Sequence, residues 1–281
     1  MIDHSPSPSP RRIFAAFHPS TTSRLAIETV VDLAFRLRAE LNAMFIEDAD
    51  LLNLADYPFH REIGLHGRVA TAPERQAIEN ELRAFARQAE RHLAETATRQ
   101  RVRWSFITSH GRIEDQIKTI GSTVDLLIVE SSSRPIGRVM QLETSARTVA
   151  KLAGGSVLMV HPTQRLAEPV HAIIQSTDEA KRVTKAAAEL ADRFEGALGI
   201  HLVVDETARN NLDAIVKDHL GRVAEQTITE AVAAIDRQEL ERILELSRGG
   251  MLVLSADNPL LTDDDTWNAI ARSPCAVLLV R

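Results

Sequence analysis

The chain has 281 residues, 44% of them hydrophobic and 26% charged, which is the make-up of a globular protein long enough for two modest domains. A formal charge of −6 offers no basic field to nucleic acid, and no arginine-aromatic interleaving suggests one. The longest apolar runs, such as "GMLVLSA" and "CAVLLV", are far too short to span a bilayer.

In chain order, "MIDHSPSPSPRR" lacks the apolar core of a secretory signal, and its Ser-Pro alternation predicts a disordered lead-in over residues 1–11. "RIFAAF" (12–17) reads as a first strand. "HPSTTS" follows, rich in helix N-cap residues, and then a helical pattern through Leu25, Val30, Leu33, Leu37 and Leu41. "NAMFI" (42–46) reads as the second strand. After a connecting segment (47–73), a long helix is expected to open at Pro73 and Glu74, with Ile78, Leu82, Phe85, Ala89 and Leu93 on one face. "VRWSFIT" (102–108), a short helix around 113–120, "DLLIV" (125–129), a helix through Val149 and "SVLMV" (156–160) complete the unit. Strands alternating with helices imply a parallel, doubly wound sheet with right-handed crossovers.

The second half repeats this plan. "VHAIIQ" matches "IFAAFH", and "ELADRFEGALGIHLVVDE" matches "DLAFRLRAELNAMFIED" without a gap, so that Leu33 aligns with Leu190, Leu41 with Leu198 and Asp48 with Asp205. "GMLVLSA" corresponds to "DLLIVES", and "AVLLV" (276–280) to "SVLMV". A repeat this long makes each copy a domain. The expected division is 12–161 and 170–281, joined by the polar, proline-bounded "HPTQRLAEP". The expected fold class is therefore α/β: two tandem doubly wound domains, each with a five-stranded parallel sheet flanked by helices.

This order of motifs resembles the universal stress protein family in its tandem form. A strand with a Ser/Thr-rich turn heads each half ("FAAFHPSTTS", "AIIQSTDE"), and "DLLIVESSS…SARTVAKLAGGSVLMV" and "ARSPCAVLLV" close the two halves. The resemblance implies a stress-response or signalling role without a defined reaction, hence no enzyme. It also implies association of paired domains through their last strands, around 157–160 and 277–280, with antiparallel edges. Some members of the family bind ATP. Carried over by position, the Asp of those members falls on His18 and Gln175. Their loop glycines fall on Glu130, Ser133 and Glu143, and their hydroxyl residue on Thr144. In the second half Asp264 takes the hydroxyl position. Glutamates beside a polyphosphate repel it, and a Cβ crowds the amides that would hold it. The resemblance therefore implies weak or no nucleotide binding and no cofactor. Any ATP held by the first half would meet His18, Pro19, Ser20, Ser131, Ser132, Ser133, Arg134, Gly137, Thr144 and Ser145.

Other candidates have plainer readings. Gly154-Gly155 and Gly249-Gly250 precede strands, whereas a phosphate cradle follows one, so they read as turn glycines. Asp56, His60, Glu62 and His66 fit no metal template, so no metal is expected. The run Asp263, Asp264, Asp265 caps a helix. The single cysteine, Cys275, reads as a buried small residue, and having no intrachain partner it suits a reducing cytoplasm. Tyr57, Pro58 and Phe59 form a candidate docking patch. The function expected is a cytoplasmic protein acting through an unidentified protein partner, with a homodimer possible. An ATP- or AMP-binding sensor using the first half is the alternative.

Overall fold

A computed structural model describes residues 11–17, 23–48, 62–63, 69–70, 75–111, 113–120, 124–130, 146–161, 165–204 and 206–281. The first half runs β1 (Arg12–Phe17), α1 (Arg24–Leu37), β2 (Glu40–Asp48), a ribbon of β3 (Glu62–Ile63) and β4 (Val69–Ala70), and α2 (Arg75–Gln100). It continues with β5 (Trp104–Gly111), α3 (Ile113–Ile120), β6 (Leu126–Glu130), α4 (Ala146–Leu152) and β7 (Ser156–Val160). The second half runs β8 (Val170–Ile174), α5 (Thr177–Phe194), β9 (Leu198–Val203), α6 (Glu206–His219) and β10 (Thr227–Val232). It ends with α7 (Arg237–Leu246), β11 (Met251–Ser255), α8 (Asp264–Ala271) and β12 (Ala276–Val280). The ribbon has no counterpart in the expected plan.

All strands but the ribbon join one 10-stranded sheet of order β10-β9-β8-β11-β12-β7-β6-β1-β2-β5. Neighbours are parallel throughout except β7 and β12, which pair antiparallel with Leu158 opposite Leu278 and Met159 opposite Val277. This is the edge-to-edge pairing that the family resemblance implied. Each half thus has the same strand order, and the two meet back to back across a pseudo-twofold axis. The register repeats too. Ile13 aligns with Leu126 and Leu126 with Ser156, as Val170 aligns with Met251 and Met251 with Ala276.

Local chemistry explains the repeat. Both first helices of the halves end on a residue in the left-handed conformation, Arg38 (φ 52) and Glu195 (φ 55). The amides that follow close the same terminal turn, Ala39 N–H to the Ala34 carbonyl at 2.9 Å and Gly196 N–H to the Ala191 carbonyl at 3.0 Å. That cap stops α1 at Leu37, so Leu41 belongs to β2 rather than to the helix, a correction to the apolar periodicity. On α2 the buried stripe runs through Leu82, Ala86, Ala89 and Leu93. Phe85 is 42% exposed, because the stripe advances by four residues from Leu82 to Ala86 rather than by three.

Helices cover both faces. One core joins Ile13, Ala15 and Phe17 to Ile27 and Val30 of α1, Leu93 of α2 and Val183 of α5. The other joins Phe14 and Ala16 to Ile117 of α3, Val149 of α4, Ile243 of α7 and Ile270 of α8. Close backbone approach needs glycine at Gly250, where a Cβ would lie 1.8 Å from the Pro169 carbonyl oxygen, and Gly249 turns the chain before β11 with φ +79. The halves also touch outside the sheet. The Arg36 guanidinium lies 4.6 Å over the Phe194 ring, and Arg11, the last residue of the expected lead-in, bonds Glu189 at 2.7 Å.

The seam generates a prediction. Leu158 is 2% exposed and sits at its centre, so Leu158→Ala should cost roughly 2–5 kcal/mol in chemical denaturation. A loss well under about 1 kcal/mol would mean that the two halves meet loosely.

Candidate functional site

In a doubly wound sheet, ligands bind outside the carboxyl ends of the strands, where neighbouring crossovers leave in opposite directions. Here those points lie between β1 and β6 and between β8 and β11. In the first half, Ser23 caps α1 by accepting from the Ala26 N–H at 3.0 Å, and β6 ends at Glu130 before α4 begins at Ala146. The connections themselves carry His18, Pro19, Ser20, Ser131, Ser132, Ser133, Arg134, Gly137, Thr144 and Ser145, all of which lie outside the described residues. So do Tyr57, Pro58, Phe59, Asp56, His60 and His66. One described feature of this mouth went unread in the sequence. Glu47, 5% exposed on β2, bonds His110 of β5 at 2.7 Å.

The second crevice is described, and its own side chains occupy it. Glu179, in the first turn of α5, is 4% exposed and accepts hydrogen bonds from the backbone amides of Gln175 and Ser176. This is half of a capping box, a carboxylate reaching back to the residues that open its own helix. Burial raises its pKa, and the two amides, Arg182 and the Ser255 hydroxyl oppose the rise. Arg182 in turn bonds the Ser255 hydroxyl at 2.6 Å and Asp257 at 3.3 Å. Asp263 accepts from the Thr266 N–H at 3.1 Å and caps α8, and Asp236 does the same for α7 through the Glu239 N–H at 2.8 Å. Between these helix starts lies a cavity of about 280 Å³, lined by Gln175, Asp236, Asp263 and Asp265 with Arg237 the one cation. Asp264 is held from the first half by an ion pair with Arg147, which also donates to the Thr262 carbonyl at 3.3 Å.

Solved structures with this architecture include a universal stress protein from Archaeoglobus fulgidus, at 12% identity and TM-score 0.66 over 95% of this chain and 96% of that one. A putative universal stress protein from Pseudomonas aeruginosa gives 14% identity and TM-score 0.60 over 97% and 93%. The fold is that of the universal stress proteins. A functionally unknown protein from Pseudomonas aeruginosa shares it too, at 14% identity and TM-score 0.59 over 97% and 92%. No protein-family model and no curated protein matches the sequence.

Within this universal stress fold the two halves diverge at three aligned positions on one face of the sheet. Where the first half has Phe14, Met44 and Ile107 on β1, β2 and β5, the second has His171, His201 and Glu230 on β8, β9 and β10. His171 leans across Gly199, whose missing Cβ would lie 2.4 Å from its Nδ1, and reaches His201 Nε2 at 3.0 Å. The rings stack at 21°. His171 is also held by a hydrogen bond to the backbone of Leu246. His201, 3% exposed, then turns Nδ1 towards Glu230 at 3.5 Å, beyond a good hydrogen bond. Glu230 is engaged by Arg242 at 3.1 Å, and Arg242 also grips Glu239. Apolar-to-polar exchange at these aligned positions was the available signal, and the histidines stand on different strands, so no local motif flags them.

Burial lowers the pKa of both histidines, that of His171 to about 4 with the neighbouring His201 contributing. The groups facing the pair are Glu230 on β10 and Glu239 and Arg242 on α7; the carboxylates favour the proton and the guanidinium opposes it. A depressed folded pKa means that the unfolded chain binds the proton first. Stability is therefore expected to be level above the ordinary histidine pKa of about 6.5 and to fall as pH drops towards about 4. Denaturant midpoints measured across that window should show the loss, and Gly199→Ala, which drives the imidazoles apart, should lower stability by roughly 1–3 kcal/mol at pH 7.

Proposed function

We propose that this chain is a regulatory protein of the universal stress class, without a catalytic reaction, that acts through contacts with a protein partner. The compartment we assign is the cytoplasm; no helix among the described residues is long and apolar enough to cross a membrane. Its two units are residues 12–161 and 170–281, and the second is a structural copy that holds no nucleotide. One observation carries this reading. The backbone amides of Gln175 and Ser176, which lead into α5 where a phosphate would seek its anchors, are already bonded to the buried carboxylate of Glu179. A polyphosphate would have to displace that carboxylate and then lie against Asp236, Asp263 and Asp265 with one arginine to offset them.

The Cys275 thiol is buried and pushed up to about 12, so at neutral pH it is a packing group and not a nucleophile. The paired histidines bond each other and the backbone of Leu246. In the first unit, Glu130 and Glu143 place negative charge at the positions of the family's loop glycines, which supports weak or absent ATP binding there.

Calorimetric titration of the full chain with ATP tests the reading. The wild type should show weak, salt-sensitive binding or none. Ser133→Gly with Glu143→Gly should raise affinity roughly tenfold or more, because one charge and two crowding Cβ atoms are removed. Two nucleotides bound per wild-type chain would overturn the role given to Glu179. One tightly bound nucleotide would favour the sensor reading of the first unit.

A further inference from the structure

The sheet ends on two strands with one neighbour each, β10 and β5, and these ends are built differently. On β10 the aligned position holds a charge, Glu230, tied down by Arg242. On β5 the same position holds Ile107, which is 49% exposed. The eight residues of β5, "WSFITSHG", include no Asp, Glu, Lys, Arg or Pro, the residues that usually guard an edge against pairing. We propose that β5 is the interface through which two copies of this chain form a homodimer, its strand pairing antiparallel with the same strand of the second copy about a twofold axis at Ile107.

The backbone selects this register. Arg103 turns its carbonyl to the Leu41 N–H at 2.9 Å, and residues along a parallel strand alternate in the side to which they bond. The odd-numbered residues of β5 therefore serve β2. Trp104, Phe106, Thr108 and His110 direct their amides and carbonyls outward. A twofold at Ile107 sets Phe106 opposite Thr108 of the second copy and Trp104 opposite His110, and each such pair exchanges two hydrogen bonds. The two Ile107 residues then face each other at a non-hydrogen-bonded position, where side chains approach most closely, which covers the exposed apolar group.

Symmetry and charge favour a second copy over a foreign strand. An isologous contact needs a self-complementary patch, and β5 meets its own copy without opposing any formal charge, although each chain carries −6 overall. The other end does not offer this. Ile228 is 75% exposed, but within β10 only Thr227 and Thr229 flank it as outward-bonding residues, and Glu230 follows. The seam between β7 and β12 already closes two edges of this chain by antiparallel pairing, so the proposed contact would continue the sheet in the same manner.

Sedimentation of the purified full chain should give a mass twice that of one chain, and Ile107→Lys should halve it with an unchanged far-UV spectrum. Ile228→Lys should leave the dimer intact. Should Ile107→Lys fail to fold, Ile107→Cys decides: facing its own copy, it should form an intermolecular disulfide under mild oxidation, while the buried Cys275 of the wild type forms none. A monomeric wild type, a dimer that survives Ile107→Lys, an uncrosslinked Ile107→Cys, or a β5 edge found paired with a different protein would each overturn the proposal.

Discussion

The antiparallel contact between β7 and β12 is the constraint on which the rest of the molecule depends. Both strands are the last of their half, and their central residues are apolar and buried. Left unpaired, each would be a bare hydrophobic edge, the arrangement most prone to pairing with other chains. Joined, they turn two five-stranded sheets into one and set the halves back to back. That orientation brings α1 beside α5 and α4 beside α8. The contacts of Arg36 with Phe194, of Arg147 with Asp264 and of Arg281 with the Ala150 carbonyl follow from it.

Because the register is repeated strand for strand, differences between the halves can be read as chemistry rather than as changes of fold. Phe14 and Met44 give way to His171 and His201, and Asn42, which accepts a hydrogen bond from Ser105 at 2.8 Å, gives way to Gly199. The glycine is what allows the imidazoles to meet. At the edge, exposed Ile107 gives way to Glu230 under Arg242. The second half has the amides of Gln175 and Ser176 taken by Glu179, and a charge, Glu230 held by Arg242, on its outer strand. The first half keeps an uncharged outer strand, with Glu47 bonded to His110 near the ends of β2 and β5. The division of roles proposed above rests on this asymmetry.

Much of the fold was legible in the sequence, because buried parallel strands appear as short unbroken apolar runs and the ungapped match of the halves carries register information. The misreadings have local causes. Leu41 continues the apolar spacing of α1, but the left-handed Arg38 has already ended the helix, a backbone event that periodicity does not encode. Phe85 fits a helical face equally well, and only the packing of α2 on α1 selects Ala86 instead. The candidate site was less legible. Gln175 could be aligned with His18 at the end of a first strand, but the group that takes its backbone amide, Glu179, is four residues further on and acts by folding back on its own helix start. The histidine pair joins two strands through a third residue on the sheet face, a relation no linear spacing reveals.

Native-state hydrogen exchange at the seam tests the account most directly. If the antiparallel pairing unites the halves, the amides of Val157, Leu158, Val277 and Leu278 should exchange only through global unfolding, with the same free energy as the deepest strands of both halves. Exchange of the seam well before the cores of the halves, or two separate unfolding free energies with the seam in neither, would show two independent units and contradict it.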